Sequence, residues 1–137
     1  MIAEHFDAVR ALLPARWTVY DTDAGHEPAF PYIVLWGGDF GRYSVDLAHS
    51  QEEVAGDIGV TCVALAAGAA RHIQSEIAAL LDGAVIEVPG RRGFELVERE
   101  VRPVTLDREV QIPSAGTARY PFYGVVTYRV ESTGGSA

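Results

Sequence analysis

The residue types that perform chemistry are present in this sequence, but not at the spacings that chemistry demands. His5, His26, His49 and His72 are scattered one to a segment. His72 and Glu76 stand four apart and would share a helical face, yet a catalytic zinc takes about three protein ligands and no third is near in the chain. The pair reads as a surface i,i+4 contact. Asp21, Asp23, Gly25 and Glu27 form the acid cluster closest to a calcium loop. Such a loop needs a ligand at its fifth position, Gly at its sixth and a bidentate Glu at its twelfth, where this chain has Gly25, His26 and Tyr32. The run Gly37-Gly38-Asp39-Phe40-Gly41 lacks GxGxxG spacing, and the chain contains no lysine to meet a phosphate. Ser50 follows His49 without a GxSxG elbow, and adjacent side chains point apart. Cys62 falls on the apolar parity of its segment and reads as a buried, inert thiol. The expectation is a protein with no catalytic, metal-binding or cofactor-binding residues and no enzymatic activity.

The elements around these residues belong to one domain. The 137 residues are 48% hydrophobic and 22% charged, close to the globular average. One cysteine can form no internal disulfide, so packing must hold the fold. The apolar runs at 32–36 and 63–67 fall far short of the roughly 18 residues a spanning helix needs. The first residues also lack the basic start and apolar middle of a secretory signal, so the expected place of synthesis and assembly is the cytoplasm, with no membrane partner. The net charge is −8 and every basic residue is Arg. Residues 1–86 hold twelve acids against four arginines, and no segment forms a basic patch for nucleic-acid phosphates.

Residues 2–13 place Ile2, Phe6, Val9, Leu12 and Leu13 on one helical face, ended by Pro14. A short β-type run at 17–20 leads through a polar loop to 32–36, which is apolar on both parities and predicts a central strand covered on both faces. Residues 37–50 read as a loop. The alternation of Val54, Ile58, Val60 and Cys62 predicts a strand over 53–65, and Ile73, Ile77, Leu80 and Leu81 predict a helix over 69–81. Strands follow at 84–88 and 94–106 around a turn at 89–93, then 107–121 shows no period, and the last strand is 122–131. This order predicts an α+β fold: a mostly antiparallel sheet with two helices packed on one face. A single domain over 1–131 and a loose end at 132–137 complete the expectation.

The two long irregular segments, 37–50 and 107–121, exceed the usual loop length and carry Phe40, Tyr43, Leu47, Val110, Ile112 and Tyr120. Their apolar content requires that they pack against something, either a neighbouring subunit or the domain itself. These six residues are the candidate subunit interface.

Several stretches together resemble one family. The helix end Val9-Arg10-Ala11-Leu12-Leu13-Pro14, the run Phe30-Pro31-Tyr32-Ile33-Val34-Leu35-Trp36-Gly37, the strand with Val60-Thr61-Cys62-Val63 and the helix end Ala79-Leu80-Leu81-Asp82-Gly83 resemble the tail terminator proteins of long non-contractile-tailed phages. Arg102-Pro103-Val104-Thr105-Leu106-Asp107 and Tyr123-Gly124-Val125-Val126-Thr127-Tyr128-Arg129-Val130 continue the likeness. The resemblance implies a virion structural protein, without cofactor or activity, that forms a hexameric ring on the head-proximal end of the tail tube. Such a ring ends tube polymerisation and offers the surface for head joining, so its partners are further copies of itself, the tail tube protein and the head–tail connector protein. DNA would pass through without specific binding, which suits an acidic, lysine-free subunit. The readings set against it are another neck or head-completion adaptor of the virion, and a host small-molecule-binding α+β domain with a cavity between helices and sheet.

Overall fold

The computed structural model describes residues 2–25, 28–38, 40–43, 53–110 and 120–134. The chain runs α1 (Ile2–Arg10), β1 (Val19–Asp21), β2 (Tyr32–Gly37), β3 (Gly41–Tyr43), β4 (Glu53–Ala64), α2 (Ala67–Leu81), β5 (Arg91–Gly93), β6 (Val97–Leu106) and β7 (Phe122–Gly134). This is an α+β fold with a mixed, mostly antiparallel sheet. Its backbone is the long antiparallel pair of β4 and β7, in register from Glu53↔Thr133 to Ala64↔Phe122. β2 and β3 flank β4, β5 and β6 flank β7, and β1 adds to β2 in parallel.

The strand alternation that the sequence shows sorts the sheet into two faces. Ile33, Cys62 and Gly124 lie side by side in one row, Leu35, Val60 and Val126 in the next. The same face carries Ile58, Tyr128, Val54 and Ser132. Both helices cover it: the Cys62 thiol donates to the Ala70 carbonyl of α2, and His5 of α1 meets Ser132. Ala70, Ile73, Ile77 and Leu81 form the buried stripe of α2, and Val9 seats α1 in the same core. Burying each such aliphatic side chain contributes about 1.5–3 kcal/mol, which is what fixes the register of both strands.

The structure corrects several expectations. α1 ends at Arg10 and reaches Leu13 only through turns, because Pro14 takes away the next donor. The loop expected over 37–50 contains β3, whose three residues pair with Ala55, Val54 and Glu53. Residues 84–88 form no strand and pair only through one isolated bridge, Val85↔Glu95, and Ile86 and Val88 are apolar because they fill the core. Conversely, residues 91–93 of the expected turn pair with β7 as β5. β7 runs on to Gly134 rather than ending at Glu131. β2 is central but buried on one face only: Ile33 and Leu35 are in the core, whereas Tyr32, Val34 and Trp36 are half-exposed.

Two glycines position β2. Gly37 has φ +87°, a conformation side chains rarely adopt, and a Cβ there would stand 3.0 Å from the Asp57 carbonyl. Gly59 leaves the space into which the Trp36 ring lies flat across β4, where Trp36 Nε1 donates to Thr61 Oγ1 at 2.9 Å.

Candidate functional site

His72 and Glu76 do meet, at 2.6 Å on the exposed side of α2, and Arg16 joins the same carboxylate at 2.6 Å. The result is a surface ion network rather than a ligand set. Among the described residues no group of three or more His, Cys, Asp or Glu side chains is placed to hold a metal ion. Asp21 and Asp23 turn outward; Asp23 accepts from the Gly25 amide at 2.9 Å in a local turn. Residues 26, 27, 39 and 44–52, and with them His49 and Ser50, lie outside the described residues. Cys62 is 1% exposed, between the carbonyls of Ala70 and Gly124, and burial pushes its thiol up from the ordinary range. That is the opposite of an activated nucleophile.

A contact that sequence reasoning missed joins the two ends of the chain. His5 and Ser132 are both enclosed, with His5 Nε2 2.6 Å from Ser132 Oγ, and Arg91 Nε donates to that same oxygen at 2.8 Å. A separation of 127 residues hides such a pair from any local pattern. No substrate reaches a serine that is 1% exposed, so the arrangement clamps α1, β5 and β7 together.

The indentation bounded by Trp17, Thr18, Pro31, Tyr32, Ile33 and Ile73 has a volume of about 10 Å³, at the limit for one water.

The opposite, helix-free face of the sheet is only partly open: Val63 and Val125 on it are 7 and 6% exposed, whereas Asp57 is exposed and stands opposite Arg129. Tyr20 of β1, Tyr32, Val34 and Trp36 of β2, Thr61 and Val63 of β4, and Tyr123, Val125 and Thr127 of β7 share it, by register. Tyr20 and Phe30 pack against the Tyr32 ring at 5.7 and 5.4 Å, and burial pushes the Tyr32 phenol up, with the Asp107 charge adding to it. The sheet edges do not invite a further strand. β1 is three residues long, and β6 carries Pro103, exposed Glu98, Arg99, Glu100 and Arg102, and two register shifts.

Of the six expected interface residues, Phe40 is 5% exposed and fills the core of its own subunit, its ring 5.4 Å from that of His5. Tyr43 ends β3. Val110 is 46% exposed and Tyr120 half-buried; Leu47 and Ile112 lie outside the described residues.

No family model matches this sequence, and no curated protein does. A solved chain in the virion of a native gene transfer agent particle is similar in structure, with a TM-score of 0.55 and 17% identity over 97% of this chain and 92% of that one. The two share a fold. At that identity the likeness speaks for the α+β architecture over nearly the full length of both chains. No helix of the described residues is long and apolar enough to cross a membrane.

Proposed function

We propose that this chain is a structural protein of a phage-like virion, acting as a tail terminator: a ring that caps the head-proximal end of the tail tube, ends its growth and presents the surface that joins the head. The observation that carries the reading is the fold shared with a gene transfer agent virion chain over 97% of this one. The resemblance of its helix ends and strands to tail terminators supports the finer assignment. The role needs no cofactor and no catalysis, and in it the enclosed Ser132–His5 contact serves to hold the fold. The −8 charge suits a channel through which DNA passes without being held. Val110 and Tyr120, at the β6–β7 connection, remain offered as ring contacts, whereas Phe40 serves its own core.

Inactivating the gene in its virion tests the reading. Electron microscopy is expected to show overlong tubes without heads, restored by supplying the chain in trans; tails of normal length joined to heads would refute the terminator role.

A further inference from the structure

We draw no further inference here: the strongest candidate, the half-buried row of Tyr20, Tyr32, Val34 and Trp36 on the helix-free face of β1 and β2, carries nothing because nothing in the structure shows what covers it.

Discussion

His5 Nε2 lies 2.6 Å from Ser132 Oγ, so the first helix is fastened to the last strand inside the core. Arg91 donates to the same hydroxyl oxygen at 2.8 Å and to the Ser132 carbonyl at 3.3 Å, drawing β5 into the joint. Ser132→Ala removes an oxygen that serves two partners where water does not enter. The expected loss is about 1–3 kcal/mol, read as a lower midpoint in chemical unfolding with an unchanged slope. A midpoint equal to that of the wild type would mean the joint carries no stability.

Stability should fall in alkaline solution. Burial holds the protons of Cys62, Tyr32 and Tyr128 above the ordinary range, and the charges of Glu98 and Asp82 add to the effect at Tyr128. In the unfolded chain these groups ionise near 9 and 10, so above that range the folded state binds more protons than the unfolded one and the unfolding free energy decreases with pH. Thermal unfolding followed from pH 7 to 10.5 should show a declining midpoint. Cys62→Ala should make the decline shallower, whatever its effect at pH 7.

Gly59→Ala places a methyl group against the Trp36 ring. Overpacking of this kind costs about 1–3 kcal/mol, and the ring must also give up its hydrogen bond to Thr61. Near-ultraviolet circular dichroism should change along with the midpoint. An unchanged spectrum would show that the ring does not lie across β4.

Glu76→Gln should do little. Arg16 and His72 are 62 and 74% exposed at their side chains, and surface ion pairs contribute about 0–1 kcal/mol. A loss larger than that of Ser132→Ala would mean that in this fold an exposed ion network outweighs a buried polar joint.

The sequence was legible where periodicity and burial coincide. The alternation of Val54, Ile58, Val60 and Cys62 marks the core face of β4, and the spacing of Ile73, Ile77 and Leu81 marks the stripe of α2, because each face packs on the other. It misled where apolar residues fill the core without strand pairing, as at Ile86 and Val88, and where three residues pair inside a glycine-rich loop, as in β3. Phe40 stood among the interface candidates because local pattern gives no sign that a loop residue turns back under α1. The second face of β2 read as buried from Tyr32, Val34 and Trp36, and the structure leaves it half-exposed instead; that difference is what reveals the helix-free surface. The His5–Ser132 joint had no local signal at all.

If this chain stops tail tubes, it should do so with purified components. The purified chain, added in increasing amounts to the purified tail tube protein of the same virion during polymerisation, should change the length distribution of tubes seen by negative-stain electron microscopy. A terminator yields shorter tubes with rising dose, growth halted at saturation and extra density on one end only. Tubes of the same length at every dose, with both ends bare, would contradict the capping role.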